Sequence, residues 1–223
     1  MTSPLPKLTL PDLKTAAREF VGGLGRTPIN ELYGVTDGKA VGTFVEHSFH
    51  KFLGERYLYT KGSSASGVDF PELAVDLKVT STKQPQSSCP FREASQKVYG
   101  LGYHLLVFVY DKTDDSTKRS ATLDFQQAIF VIQNRTADYQ TTYGLREILA
   151  RQGNKDDLVA FLEERNLPLD EIGRDALAER ILREPPVLGY LTISNALQWR
   201  LQYGRAIGLA ATAGAEGIEN LLT

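Results

Sequence analysis

Residues 67–81 read GVDFPELAVDLKVTS, and this stretch decides the fold. From residue 73 onward, Leu73, Val75, Leu77 and Val79 alternate with Ala74, Asp76, Lys78 and Thr80. The alternation predicts a half-buried β-strand, because successive side chains of a strand point to opposite faces. Its solvated face carries Asp76 beside Lys78, since residues two apart on a strand project in the same direction.

Asp69 precedes this strand, and the segment between them contains Pro71. A proline-containing segment can bend the chain, so we expect the Asp69 carboxylate to return to Asp76 and Lys78. Two acids and a lysine that converge in this way suit a divalent metal ion and an activated water.

The composition limits the classes of function. The 223 residues suffice for one compact domain with an appended element, but they are few for two independent domains. One cysteine and three histidines exclude a disulfide framework and argue against a cysteine-rich or histidine-rich zinc site. The net charge of −2 creates no global basic field, so DNA would need a local basic surface. Without a signal peptide or a long apolar run, we expect a cytoplasmic protein with no membrane partner.

Upstream of the strand, a proline-rich arm leads into a short helix that Asp12 is expected to cap. Residues 38–53, GKAVGTFVEHSFHKFL, carry apolar side chains at helical spacing. Glu46 lies at the border of that apolar stripe, where it is either a solvated glutamate or part of the site. Residues 56–60 are predicted to form a short strand.

Downstream, the apolar run over residues 104–110 predicts a fully buried strand, and residues 111–120 a solvated turn. Another strand is predicted over residues 123–133. Helices are predicted over residues 91–99, 142–152, 155–165, 170–183 and 194–210. We therefore expect an α/β fold in three parts that form one compact domain: residues 1–38 as an arm and short helix, 39–135 as the core, and 136–223 as a helical C-terminal region.

The order of a helix with Glu46, a turn with Asp69 and a strand with Asp76 and Lys78 resembles the PD-(D/E)xK nuclease superfamily. In that superfamily the lysine follows the second acid by two residues, as it does here. Val68 occupies the place of the customary proline. Residues 42–80 look most like the mismatch-repair nicking endonuclease MutH and related type II restriction enzymes. MutH-like enzymes usually carry glutamate where this chain has aspartate.

The resemblance implies a restriction-endonuclease-like core with a mixed central sheet flanked by helices. It also implies a Mg²⁺-dependent, sequence-specific double-strand DNA endonuclease of the type II restriction kind. Asp69, Asp76 and the carbonyl of Leu77 would bind the metal, Lys78 would orient the attacking water, and Glu46 would bind a second ion or a metal-bound water. Two alternatives stay open: a MutH-like nicking or repair enzyme, and a non-catalytic DNA-binding module of the same fold.

Base recognition needs bidentate donors and acceptors on elements that can enter a groove. The candidate DNA-binding residues follow the catalytic strand or lie on the last predicted helix: Lys83, Gln84, Gln86, Arg92, Gln198, Arg200, Gln202 and Arg205. Ordinary solvated polar residues are the alternative interpretation. The resemblance further implies double-stranded DNA and a cognate DNA methyltransferase as partners, with a homodimer and a monomer both left open.

Overall fold

The computed structural model describes residues 4–62, 67–89, 92–194, 199–212 and 214–223. In chain order, the helices and strands are α1 Leu10–Leu24, α2 Gly38–Gly54, β1 Val75–Ser81, β2 Gln86–Ser88, α3 Gln96–Tyr99, β3 His104–Asp115, β4 Ser120–Val131, α4 Tyr139–Ala150, α5 Lys155–Glu164, α6 Glu171–Arg183, β5 Thr192–Ile193, β6 Arg200–Gln202, α7 Gly204–Ala211 and β7 Ile218–Asn220. The predicted α/β fold, with a mixed central sheet flanked by helices, is confirmed.

The central sheet has the strand order β1-β3-β4-β7. β1 runs parallel to β3, whereas β4 is antiparallel to both β3 and β7. Residues 105–109 of β3 are all buried. A strand covered on both faces requires such a continuous apolar sequence, so the buried strand predicted over residues 104–110 is confirmed.

The hairpin of β3 and β4 is longer than the sequence predicts. The predicted turn over residues 111–120 is wrong, because the paired strands extend as far as Asp115 opposite Ser120. On the β4 side of this extension, Thr122 and Asp124 are exposed, whereas Ala121 and Leu123 are buried. An antiparallel pair accepts polar side chains on a solvated face, so polarity alone did not mark a turn here.

Side chains of β3 point alternately into two hydrophobic clusters. Leu106 and Phe108 join the cluster that includes α1 and α2. Leu105 and Val107 join a second cluster that includes β6 and α7. β6 is the middle strand of a smaller sheet with the order β2-β6-β5. The central sheet is therefore covered on both faces, and helices α3 to α6 share a third cluster.

The helices flanking the first cluster begin at polar caps. Thr9 caps α1 by accepting a hydrogen bond from the Asp12 amide, and the Asp12 side chain bonds back to the Thr9 amide. The prediction that Asp12 is itself the cap is therefore wrong, since it is the third residue of a capping box. Asp37 caps α2, which confirms the helix predicted over residues 38–53.

Two short predicted elements differ in the structure. The strand predicted over residues 56–60 is wrong, because this segment makes one isolated bridge, between Lys7 and Leu58. Prolines in the N-terminal arm lack the amide donors that a longer ladder would need. The helix predicted over residues 91–99 is a single turn, α3, in its described part, and residues 90 and 91 lie outside the described residues.

The C-terminal region begins with α4, α5 and α6, as predicted. The final helix predicted over residues 194–210 is confirmed over residues 204–210, which belong to α7, but it is wrong for the described residues before them, where β6 forms. Trp199, Leu201 and Tyr203 are buried, whereas Arg200 and Gln202 between them are exposed. This period of two is typical of a strand with one covered face.

The division of the chain at residues 38 and 135 stays a prediction. Strands of residues 136–223 pair with strands of residues 39–135: β6 pairs with β2, and β7 pairs with β4. None of the described helices is both long enough and apolar enough to cross a membrane.

Candidate active site

A tight turn brings Asp69 back to β1. Residues 71–73 form one turn of 3₁₀ helix, and Ala74 follows with a left-handed φ of 50°. Phe70 and Val75 then exchange two backbone hydrogen bonds. As a result, Asp69 Oδ2 accepts a hydrogen bond from the Leu77 amide at 2.8 Å. The predicted return of the Asp69 carboxylate to the strand agrees with this geometry.

Asp76 and Lys78 form an ion pair, with 2.7 Å between Oδ2 and Nζ. Their shared face is not solvated as predicted, because Asp76 is only 3% exposed. β1 pairs with β3 so that Asp76 lies beside Leu105 and Lys78 beside Val107. Those neighbours belong to the second hydrophobic cluster, so the prediction of a solvent-facing side is wrong. The small sheet of β2, β6 and β5 covers the face of β1 that carries Asp76 and Lys78.

A second group of potential ligands adjoins the first. Glu46, His50 and Asp69 each offer one ligand atom, and these atoms lie within 4.8 Å of one another. Asp69 also accepts the hydrogen bond from the Leu77 amide on β1 and is close enough to Asp76 to raise the pKa of that carboxyl. Asp69 therefore joins the helix group to the strand group, and Glu46 lies at the site rather than on a separate surface.

The sequence interpretation missed His50, although a signal for it exists. His50 follows Glu46 by four residues on α2, and residues at that spacing lie on the same helix face. Its burial, with 7% exposed, agrees with its place among the apolar residues of the helix. Periodicity alone could not distinguish a core histidine from a potential ligand.

The protonation equilibria reflect burial and crowding of like charges. Burial raises the pKa of Asp76 to about 7, and Asp69 adds to this effect while Lys78 opposes it. Burial also raises the pKa of Glu46, again with a contribution from Asp69. For His50, burial lowers the pKa to about 4, so its ring is neutral near pH 7. The site therefore gathers carboxyl groups whose negative charges are mutually unfavourable until a positive charge enters.

A sequence model of a family described as "Type II restriction enzyme NspV" matches residues 7–220. The chain belongs to this family of type II restriction enzymes. It is 60% identical over 200 residues to the type II restriction enzyme NspV of Nostoc sp., and the match covers 90% of this chain and 91% of that protein. No solved structure matches the chain.

The enzyme is thus a site-specific deoxyribonuclease, and the predicted resemblance to type II restriction enzymes is confirmed. The match spans all the candidate catalytic residues, from the helix with Glu46 to the strand with Lys78. It also spans β6, which carries two of the candidate DNA-binding residues.

The candidate DNA-binding residues of this restriction enzyme come from two distant segments that meet in the small sheet. β2 and β6 are antiparallel, with Gln86 opposite Gln202 and Ser88 opposite Arg200. Arg200 and Gln202 are exposed. Their predicted position on a helix is wrong, but their strand places them beside the segment that follows the catalytic strand.

The other candidates are distributed around this sheet. Lys83 and Gln84 are exposed in the turn between β1 and β2. The Arg92 guanidinium approaches the backbone of Gly67, two residues before Asp69. Arg205 is half-buried at the start of α7, with its guanidinium carbon 3.4 Å from the centre of the Tyr139 ring. Gln198 lies outside the described residues.

Proposed function

We propose that this restriction enzyme cleaves both strands of its DNA site in a Mg²⁺-dependent reaction centred on Asp69, Asp76 and Lys78. One observation carries the proposal. Asp69 is bonded to the backbone of Leu77, between Asp76 and Lys78, so that both carboxylates and the ammonium group meet at one point of β1. This is the arrangement that phosphodiester hydrolysis requires, since charge must be neutralised beside a positioned water.

The residues present fit a hard divalent cation. Asp69 helps to raise the pKa of the buried Asp76 carboxyl, and two ionised carboxylates so close together are unfavourable unless a proton or a cation lies between them. Mg²⁺ prefers oxygen ligands, which these acids and the Leu77 carbonyl would provide. When bound, Mg²⁺ would neutralise a phosphate oxygen and stabilise the leaving alkoxide.

Lys78 acts as a hydrogen-bond donor in this proposal. Burial lowers the pKa of Lys78, but the contact with Asp76 outweighs this effect and the pKa is raised. Lys78 therefore stays protonated near neutral pH, so it orients the attacking water and contacts the phosphate instead of removing a proton. Glu46, half-buried beside Asp69, would hold a second ion or a water molecule.

The small sheet is the proposed element for base recognition. A two-stranded β-ribbon fits the major groove, and a glutamine can form a bidentate contact with adenine. Gln86 and Gln202 lie opposite each other on β2 and β6. Of these two strands, only β2 is close in sequence to β1. A homodimer would present one active site to each DNA strand. A cognate DNA methyltransferase is the further partner we propose, since a restriction enzyme must spare the DNA of its own cell.

Plasmid digestion tests the proposal. We expect the wild-type enzyme to produce discrete linear fragments with Mg²⁺ and none in a chelator, whereas Asp76→Asn should not cut. Asp124→Asn is the matched control, because Asp124 is an exposed aspartate on β4 outside the site. Cleavage by Asp76→Asn at the wild-type rate would remove this site from the reaction. Accumulation of open circles alone would show that the enzyme nicks one strand.

A further inference from the structure

His50 is a buried ring whose two nitrogens have different surroundings. Nδ1 lies 2.9 Å from the hydroxyl oxygen of Tyr59. Nε2 is buried and has no hydrogen-bond partner among the described residues. A buried polar atom without a partner is costly, because it loses its hydrogen bonds to water and gains none in return. His50 Nε2 is therefore available to bind a ligand.

The hydrogen bonds around Tyr59 favour one tautomer of the His50 ring. The Tyr59 hydroxyl donates its proton to the backbone carbonyl of His50, at 3.1 Å. Its oxygen is then free to accept, so the short contact is a hydrogen bond donated by the Nδ1 proton. This tautomer leaves the lone pair on Nε2. Histidines that bind metal ions commonly donate their other ring proton to a partner in this way, which fixes the ring orientation.

The remaining ligands lie within reach. One ring nitrogen of His50 lies within 4.8 Å of a carboxylate oxygen of Glu46 and of Asp69. Because Nδ1 is bonded to Tyr59, Nε2 is the nitrogen available to an ion. Three side chains on two elements, α2 and the turn before β1, then surround one point.

We propose that Glu46, His50 and Asp69 form a second cation site with a nitrogen ligand, and that this site favours transition-metal ions such as Mn²⁺ and Co²⁺ over Mg²⁺. Imidazole binds transition-metal ions well, whereas Mg²⁺ prefers an all-oxygen shell. The inference rests on the proposed function, since Asp69 is shared with the Mg²⁺ site at Asp76. It adds a ligand and a metal preference that the acids alone do not imply.

Pulsed electron paramagnetic resonance of bound Mn²⁺ tests this ligand directly. We expect a ¹⁴N coupling from an imidazole in the wild-type enzyme, replaced by a ¹⁵N coupling after labelling with [¹⁵N]histidine. The coupling should disappear in His50→Gln and persist in His47→Gln, because His47 is exposed on α2, three residues before His50. The labelled wild-type enzyme requires no substitution, so the test holds even if His50→Gln does not fold.

Affinity measurements provide a second readout. We expect His50→Gln to weaken Co²⁺ binding, measured by calorimetry, by about tenfold or more, with a much smaller change for Mg²⁺. Bound Mn²⁺ without a histidine nitrogen, or a coupling that survives in His50→Gln, would overturn the inference. If either of these results were obtained but the wild-type enzyme still cleaved DNA with Mg²⁺, the proposed function would stand. Absence of both Mn²⁺ binding and cleavage would overturn both.

Discussion

Replacing Lys78 by methionine should destabilise the metal-free enzyme strongly. Lys78 Nζ lies 2.7 Å from Asp76 Oδ2, and Asp76 is 3% exposed. The substitution leaves a buried carboxylate beside Asp69 without its cation. Breaking a buried ion pair by removing one partner costs about 3–5 kcal/mol. We expect Lys78→Met to lower the free energy of unfolding by about this amount at high pH in a chelator.

The loss should depend on pH, because Asp76 can bind a proton. Its folded-state pKa is raised by burial to about 7, above the ordinary value, so the folded protein binds this proton more tightly than the unfolded chain. Such a group stabilises the fold at low pH, and the stabilisation is lost as the pH rises through the folded-state pKa. Without Lys78 this pKa rises further. As the pH falls from 9 to 7, the difference in the free energy of unfolding between variant and wild type should decrease by up to about 1.4 kcal/mol per pH unit. Below pH 7 this difference should stay constant.

Urea denaturation followed by circular dichroism measures these values, in chelator and with Ca²⁺. Ca²⁺ should restore much of the loss, because it replaces the missing positive charge. The double variant Asp76→Asn/Lys78→Met should also recover stability, since it removes both charges. Lys118→Met is the control: Lys118 pairs with Asp115 at 3.7 Å on the surface, so its loss should lower the free energy of unfolding far less than the loss of Lys78 at every pH. Equal losses in the two lysine variants, or a loss independent of pH, would refute the reasoning.

Three further predictions address DNA binding and the core. In chelator at pH 8, Asp76→Asn should bind the DNA site more tightly than wild type, because it removes a negative charge near the phosphate; equal affinities in a fluorescence titration would contradict this. Leu77→Asp should unfold the protein, as seen by far-ultraviolet circular dichroism, because Leu77 is 4% exposed within the first cluster and its replacement buries an unpaired charge. Gln86→Ala and Gln202→Ala should each relax the sequence preference when cleavage products are sequenced; uniformly weaker cleavage of all sequences would instead indicate phosphate contacts.

Several parts of the site were predictable because they depend on residues close in sequence. Residues two apart on a strand share a face, so Asp76 and Lys78 lie together whatever covers them. A proline-containing turn of few residues limits where Asp69 can go. Helical spacing placed Glu46 at the border of an apolar stripe and His50 one turn later on the same face, but spacing alone did not distinguish His50 from a core residue. The proximity of Asp69, Asp76 and Lys78 was thus determined by local geometry.

Tertiary structure alone decided which faces are covered and which distant segments meet. The face of Asp76 is polar in sequence, yet it is buried, because β2 and β6 lie over it through pairing between residues far apart in the chain. The same pairing brings Gln202 beside Gln86. Periodicity along a segment shows how its own side chains divide between two faces. It contains no information on what packs against either face, because that depends on long-range contacts whose partners the local sequence does not specify.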